Sequence, residues 1–214
     1  MRTLRNLAYF AVGCFLAASF LLGTTYARAD HPVRAAIAPS VHQMYEEGAS
    51  CSAVMIAPGL ARTAAHCLKM TSPVVTIDGY DYRVTEGYAA SPHDAAVLII
   101  PGAPCPCARV ADTALEIGDP VVAAGYPNGI ALTVTYGEMQ ARVVLPQDGQ
   151  EYLLVTARAM PGHSGGGVFN QYGELVGTIV SGEQGMYTLA VEVIAMPLFT
   201  DGMKYEYPRK EVME

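Results

Sequence analysis

Short runs of apolar and β-branched residues recur along the chain beyond residue 48, and glycine or proline separates most of them. Runs of this kind are typical of β-strands, and no stretch shows the longer 3.6-residue period of a convincing amphipathic helix. The dipeptide Asp78-Gly79 lies between two runs and predicts a hairpin turn. The expected strands cover residues 52–57, 74–77, 80–85, 95–100, 120–126, 131–136, 139–145, 152–157, 175–181 and 187–193. Short strands at this spacing predict an all-β sandwich or barrel.

The densest group of prolines divides this pattern into two halves. Residues 101–107 contain three prolines and no regular period, so we place an internal boundary there that extends to about residue 118. We expect one β unit over residues 49–112 and a second over residues 113–200. A lead-in over residues 30–48, with one short helical or extended stretch, precedes them, and a C-terminal tail over residues 201–214 follows.

The N-terminal segment has the pattern of an export signal. Arg2 and Arg5 precede an uncharged apolar run over residues 7–23, and Ala27-Arg28-Ala29 matches the small-x-small pattern of a cleavage site. We therefore expect residues 1–29 to be a signal peptide, with cleavage between Ala29 and Asp30. An uncleaved membrane anchor is the alternative. Either arrangement exports the rest of the chain, to the periplasm or outside the cell.

Removal of residues 1–29 leaves 185 residues, enough for a substantial core, and changes the formal charge from −7 to −10. An acidic surface without a basic run does not favour nucleic acid or anionic lipid. We therefore expect no nucleic-acid partner, and no membrane partner beyond the signal segment.

Four cysteines remain after the predicted cleavage, and an exported chain can keep them as disulfides. Four cysteines allow three pairings, of which we favour Cys51 with Cys67 and Cys105 with Cys107. The first pair closes a loop that contains His66, whereas the second spans only one proline. Two cysteines in a C-x-C pattern can also bind a metal, but the sequence offers no second cluster of soft ligands. We expect no metal and no cofactor.

Residues 161–167 place one serine, Ser164, among four glycines, a composition that lets the backbone turn sharply beside the hydroxyl. A nucleophilic serine requires a histidine as its base. The segment 162–166 also fits the G-x-S-x-G pattern of α/β-hydrolases, in which the histidine follows the serine. All five histidines, at positions 31, 42, 66, 93 and 163, precede Ser164. This order excludes the α/β-hydrolase interpretation.

Three motifs occur in the order His, Asp, Ser: Thr63-Ala64-Ala65-His66-Cys67, Asp94 before an apolar run, and Gly162-His163-Ser164-Gly165-Gly166. Together they resemble the trypsin/chymotrypsin-like serine proteases, in particular the compact bacterial HtrA-type members. The resemblance implies two six-stranded antiparallel β-barrels with the active site in the cleft between them. It also implies an exported serine endopeptidase that acts on protein or peptide substrates through an acyl-enzyme.

The same resemblance assigns a role to each motif residue. His66 is expected to be the general base, Asp94 the carboxylate that orients it, and Ser164 the nucleophile, while the N–H groups of Gly162 and Ser164 form the oxyanion hole. His163 is the rival base, but adjacent side chains on a tight turn point apart, so we expect it to be structural. The rival carboxylates, Asp78 and Asp81, lie in or beside the hairpin turn, where aspartate is common for local reasons.

Some positions depart from the family pattern. His163 stands where aspartate or asparagine is usual, and the chain has no Ile-Val-Gly-Gly-like start, so we expect no activation of the trypsinogen type. Gly167 replaces the usual proline.

The resemblance also assigns residues to the pocket that would determine substrate specificity. Arg158 falls at the usual position of the pocket base, and Ser181-Gly182-Glu183 resembles the wall of the substrate pocket. Arg158 could attract an acidic substrate side chain, or Arg158 and Glu183 could neutralise each other. A shift of one residue would replace Arg158 by an alanine. Two other functions use the same scaffold: a catalytically silent binding protein, and an esterase.

Overall fold

The computed structural model describes residues 32–183, 186–193 and 204–207. In these ranges the regular structure consists of fourteen β-strands, one short α-helix and three 3-10 helices, Ala38–Ser40, Ala65–Lys69 and Pro127–Gly129. The helix α1 is Pro32–Ile37. The strands are β1 Val41–Glu46, β2 Ala49–Ala57, β3 Leu60–Thr63, β4 Val74–Ile77, β5 Tyr80–Arg83, β6 Glu86–Ala89, β7 Ala96–Ile99, β8 Pro120–Gly125, β9 Thr133–Val144, β10 Glu151–Val155, β11 Gly167–Asn170, β12 Leu175–Glu183, β13 Tyr187–Glu192 and β14 Lys204–Glu206. None of the helices in these ranges is long and apolar enough to cross a membrane. The predicted signal peptide lies outside the described residues.

The second half of the chain forms a closed barrel with the strand order β10-β13-β12-β11-β8-β9. All of its strand pairs are antiparallel. Alternate side chains point inward and fill the barrel with branched and small apolar residues, among them Val155, Val168 and Ile179. This barrel confirms the six-stranded unit expected from the sequence.

The first half forms an eight-stranded sheet with the order β14-β6-β7-β3-β2-β1-β4-β5. Only Val84 and Thr85 separate β5 from β6, and their N–H groups donate to Pro73 O at 3.1 Å and Ile99 O at 2.9 Å. The bent segment β5–β6 thus bonds to β4 on one side and to β7 on the other. Among the described residues this sheet is a half-barrel of eight strands, whereas the sequence predicted a closed barrel of six strands for this half of the chain.

Several local predictions can be compared with the strands. Asp78 and Gly79 have φ values of 51° and 82°, and they form the turn between β4 and β5 that the sequence predicted. Two strands were predicted over residues 131–136 and 139–145, but the structure has the single long strand β9. β9 pairs with β8 over residues 133–138 and with β10 over residues 139–144. Gly137 lies next to this change of partner and lets residue 157 come close, because a Cβ at position 137 would meet Ala157 N at 2.1 Å.

Two strands lie in segments that the sequence analysis kept outside the β units. β1, from the expected lead-in, pairs with both β2 and β4. β14, from the expected tail, pairs with β6. Tyr207 follows β14 and donates from its hydroxyl to Leu68 O at 3.0 Å, which attaches the end of this segment to the turn that carries His66.

Candidate active site

His66 and Asp94 contact each other through two hydrogen bonds. His66 lies on a 3-10 turn, Ala65–Lys69, directly after β3, and Asp94 lies in the loop that leads into β7. The His66 backbone N–H donates to Asp94 Oδ1 at 2.8 Å, and His66 Nδ1 lies 2.7 Å from Asp94 Oδ2. About one third of the Asp94 side chain and 39% of the His66 side chain are exposed. The carboxylate therefore fixes both the ring and the backbone of His66, and Nε2 lies on the opposite side of the ring.

A disulfide holds the turn that carries His66. Cys67 is buried and bonds to Cys51 on β2, with the two Cα atoms 6.4 Å apart. Cys105 and Cys107 form a second disulfide, so both favoured pairings are confirmed. The two sulfurs of the first disulfide and a His66 ring nitrogen lie within 4.8 Å of one another, but joined sulfurs cannot serve as thiolate ligands.

Two consecutive β-turns present Ser164. The first turn closes through His163 N–H, which donates to Met160 O at 2.9 Å, and the second through Gly166 N–H, which donates to His163 O at 2.7 Å. Gly162 and Gly165 occupy the third positions of these turns with φ values of +94° and +84°, as type II turns require. Both positions are also crowded: an added Cβ would meet Asn128 N at 2.5 Å from Gly162, and Ser52 O at 2.1 Å from Gly165. The glycines predicted from the motif are therefore required by both conformation and space.

The serine loop is attached to the first sheet beside His66. Ser164 O accepts a hydrogen bond from Ser52 N–H at 2.7 Å, and Cys67 Sγ lies 3.8 Å from the same oxygen. Thr63 Oγ1 donates to Ser52 O at 2.8 Å, so the end of β3 also joins this contact. The structure contains no hydrogen bond between the Ser164 hydroxyl and the His66 imidazole. It brings the backbone of the serine loop against the disulfide that holds His66.

A cavity of about 200 Å³ lies on one side of the serine loop. Its lining comprises residues 159–161, Ser164 and residues 179–182. Ser181 and Gly182 therefore lie where the sequence predicted the pocket wall. Arg158 is exposed and is not among the lining residues, whereas its neighbour Ala159 is. Glu183 ends β12, but its side chain lies outside the described part of the structure, so its pairing with Arg158 stays a prediction.

A larger cavity, of about 450 Å³, also borders the serine loop. Its lining consists of Gln43, Tyr45, Glu46, residues 48–50, Asn128, Pro161 and Gly162. The two cavities share Pro161. The serine loop therefore borders both cavities.

The profile of the trypsin-like peptidase domain matches residues 51–177, which is more than half of the chain. The chain belongs to the trypsin-like peptidase family. The match begins at Cys51, one end of the disulfide at His66, and extends past the serine loop into β12.

Two relatives of this trypsin-like peptidase carry protease names. A DegP-like periplasmic serine endoprotease of Pseudomonas savastanoi is 40% identical over 87 residues, which cover 39% of this chain and 18% of the relative. A protein of Synechocystis named serine protease HhoB is 29% identical over 181 residues, which cover 76% of this chain and 43% of the relative. The chain spans less than half the length of either curated relative.

Solved structures support the same fold. The Rv3671c protease from M. tuberculosis in its active form has a TM-score of 0.69 and 22% identity over 77% of this chain and 80% of that one. The HtrA-type protease AlgW with tripeptide has a TM-score of 0.68 and 26% identity, over 75% of this chain and 58% of that one. These similarities confirm the two-barrel fold predicted from the sequence.

His163 is completely buried in the second turn of this peptidase, and its Nδ1 accepts a hydrogen bond from Met160 N–H at 3.3 Å. Burial lowers the pKa of His163 below its usual value of 6.5. A side chain in this position packs against the loop and does not face the cleft, in keeping with the structural role expected for it.

Because His163 is buried, we expect the folded protein to lose stability in acid. Since the pKa of His163 is lower in the folded protein than in the unfolded chain, the unfolded chain binds the proton first as the pH falls below about 6.5. We expect the melting temperature to fall between about pH 7.5 and 5, and to fall less steeply in His163→Asn, which cannot bind that proton. Thermal unfolding across this pH range measures both slopes. Equal slopes would contradict the assignment.

Sequence reasoning did not identify three residues that shape the site: Ser52, Thr63 as a hydrogen-bond donor, and Asn128. Ser52 and Asn128 contact partners far away in the chain, as Asn128 N–H does by donating to Pro161 O at 2.9 Å, and Thr63 binds Ser52 on the neighbouring strand. The position of Ser52 next to Cys51 in the sequence is the only local signal that could have drawn attention to it.

Proposed function

We propose that this chain is an exported serine endopeptidase that hydrolyses peptide bonds through an acyl-enzyme, with Ser164, His66 and Asp94 as its catalytic triad. The observation that carries the proposal is the pair of hydrogen bonds from His66 to the Asp94 carboxylate. His66 lies on a turn that a disulfide joins to β2, the strand that binds the serine loop. The names of the relatives support the class of reaction.

The geometry supports a distinct role for each member of the triad. Asp94 accepts a hydrogen bond from Nδ1–H of His66, which keeps the proton of the neutral imidazole on Nδ1 and leaves the lone pair of Nε2 free to act as a base. When Ser164 Oγ attacks the carbonyl carbon, Nε2 takes the hydroxyl proton and later gives it to the leaving amine. Water then repeats the same steps to release the acyl group. Hydrogen bonds of this kind are often long without substrate and tighten when the substrate is bound.

The N–H groups of Gly162 and Ser164 are proposed to stabilise the oxyanion. Each belongs to a peptide whose carbonyl is already bonded: Pro161 O accepts from Asn128 N–H, and His163 O accepts from Gly166 N–H. Because a trans peptide is planar, its N–H points away from its own carbonyl. The two carbonyl bonds therefore set the directions of the two donors before the substrate arrives, and such donors need no reorganisation in the transition state.

Export and peptide binding complete the proposal. The name of the Pseudomonas relative includes the word periplasmic, and the charge pattern of the first 29 residues is that of a signal peptide. Two disulfides are consistent with an oxidising compartment. The structure of AlgW with a tripeptide supports a peptide as the ligand class.

We expect the cavity beside Ser164 to select a small, uncharged side chain on the residue before the scissile bond. Its side-chain lining is small or apolar apart from Ser164 and Ser181, so a carboxylate there would lose its hydration without a partner. Peptides with alanine or valine at this position are expected to be cleaved at least about 10-fold faster, by kcat/KM, than peptides with glutamate. Cleavage of a fluorogenic peptide panel measures this preference.

The variant Arg158→Ala, assayed with the same peptide panel, tests the hypothesis that Arg158 attracts an acidic side chain of the substrate. Because Arg158 lies outside the lining of the cavity, we expect its removal to leave the preference within about threefold of the wild type. A preference for glutamate or aspartate that disappears in Arg158→Ala would contradict the uncharged pocket and support an attraction between Arg158 and the substrate.

A quenched fluorescent peptide and its matched ester distinguish the proposal from its two alternatives. An endopeptidase cleaves an internal peptide bond of the first substrate, and an esterase cleaves only the second. A catalytically silent binding protein cleaves neither. We expect the purified protein to cleave both, since an acyl-enzyme forms from esters as well as amides. Cleavage of the ester alone would overturn the endopeptidase assignment.

A further inference from the structure

Ser52 joins the first sheet to the serine loop through its backbone. It is completely buried on β2, and its N–H donates to Ser164 O at 2.7 Å. Its carbonyl accepts a hydrogen bond from Thr63 Oγ1 at 2.8 Å. The backbone of Ser52 is thus fixed between β3, which leads to His66, and the nucleophile itself.

The side chain of Ser52 makes two further bonds. Tyr126 N–H donates to Ser52 Oγ at 2.8 Å, and Ser52 Oγ donates to Gly162 O at 2.7 Å. The direction of both bonds is fixed, because a backbone N–H only donates and a carbonyl only accepts. One hydroxyl therefore connects β2, the end of β8 and the serine loop.

The carbonyl that Ser52 binds lies between the two proposed oxyanion donors. The peptide before it carries Gly162 N–H, and the peptide after it leads to Ser164 N–H. Neighbouring carbonyls on both sides are held by Asn128 and Gly166, as described above. Gly162 itself has a φ of +94° and the wide conformational freedom of glycine. Without the bond from Ser52, the peptide between Gly162 and His163 would have only the His163 N–H bond to Met160 O to orient it.

We propose that Ser52 is a positioning residue, whose hydroxyl holds the Gly162 carbonyl so that both oxyanion donors keep their direction. This inference rests on the proposed function. Donors must lie within hydrogen-bond distance of the developing oxyanion, and small displacements of catalytic groups reduce rates steeply. Ser52 acts on turnover through the donors and does not contact the substrate.

The variant Ser52→Ala is expected to lower kcat by about 10- to 100-fold with KM within about threefold of the wild type. Titration with a fluorophosphonate to its end point counts the competent active sites, and kcat is then expressed per competent site. The inhibition constant of a peptide aldehyde, whose adduct carries an oxyanion, is expected to rise by a similar factor. Ser52→Thr keeps the hydroxyl and is expected to retain most of the wild-type kcat.

The control is Ser40→Ala, which also removes a buried hydroxyl that donates to a backbone carbonyl, here Ile37 O at 2.8 Å. It should lower the melting temperature comparably and leave kcat unchanged. If Ser52→Ala does not fold, Ser52→Cys replaces the hydroxyl by a thiol of similar shape that hydrogen-bonds only weakly, and it tests the same loss of kcat.

Two results would overturn the inference: a wild-type kcat per site in the hydroxyl-deletion variant, or a loss confined to the number of competent sites. A wild-type protein without turnover would instead overturn the proposed function, so the two failures are distinguishable.

Discussion

Replacement of Ser164 by alanine is expected to lower kcat/KM for peptide cleavage by about 10⁵- to 10⁶-fold. The substitution removes the only atom that we propose forms the acyl-enzyme, while the turn that carries it stays closed by the His163 and Gly166 bonds. The melting temperature is therefore expected to stay close to that of the wild type. Steady-state kinetics and thermal unfolding of the same preparation measure both quantities.

The buried Ser40, which donates to Ile37 O, provides the matched control for this substitution as well. Ser40→Ala is expected to keep wild-type kcat/KM. Activity of Ser164→Ala above about one hundredth of the wild-type value would mean that another group serves as the nucleophile.

The variant Asp94→Asn is expected to lower kcat by about 10⁴-fold without unfolding the protein. The amide is nearly isosteric with the carboxylate, but its NH₂ group would donate to Nδ1 of His66 and leave the proton on Nε2. An imidazole in that tautomer cannot accept the proton of Ser164. The carboxylate would also no longer stabilise the imidazolium that forms during acylation. Single-turnover kinetics of acylation measure this step directly.

Asp81 supplies the matched control for Asp94→Asn. Its carboxylate accepts hydrogen bonds from Thr76 Oγ1 and from the Tyr45 hydroxyl, both at 2.7 Å, and these bonds lower its pKa. Its partners lie on β4 and β1, so Asp81→Asn is expected to leave kcat within about threefold of the wild type. A larger loss in Asp81→Asn than in Asp94→Asn would reverse the assignment of the catalytic carboxylate.

The sequence alone was sufficient to predict those parts of the candidate site that depend on short motifs. The His66 turn, Asp94 and the glycines around Ser164 each leave a local pattern, because conformation and spacing act over a few residues. The structure joins Asp94 to His66 by two bonds and places the serine loop next to their disulfide. The pairing of Cys51 with Cys67 and of Cys105 with Cys107 was also predicted from the sequence, and the structure has both disulfides.

Contacts between segments distant in sequence could not be predicted in this way. The strand β14 is three residues long and carries no apolar alternation, yet it pairs with β6, more than 100 residues away. Ser52 contacts the serine loop across 110 residues. A hydroxyl that binds backbone groups leaves no periodic pattern, because its partners are independent of side-chain identity. The glycine at position 137 is required in the same way by a distant segment, because residues 156 and 157 come too close to it to leave space for a Cβ.

The central claim is that His66 activates Ser164, and a fluorophosphonate tests it most directly, because this reagent modifies only an activated serine. We expect the intact mass of the wild-type protein to increase by one adduct, and that of Ser164→Ala to stay unchanged. His66→Ala is expected to react far more slowly than the wild type. Failure of folded wild-type protein to form the adduct, or an adduct that persists in Ser164→Ala, would contradict the claim.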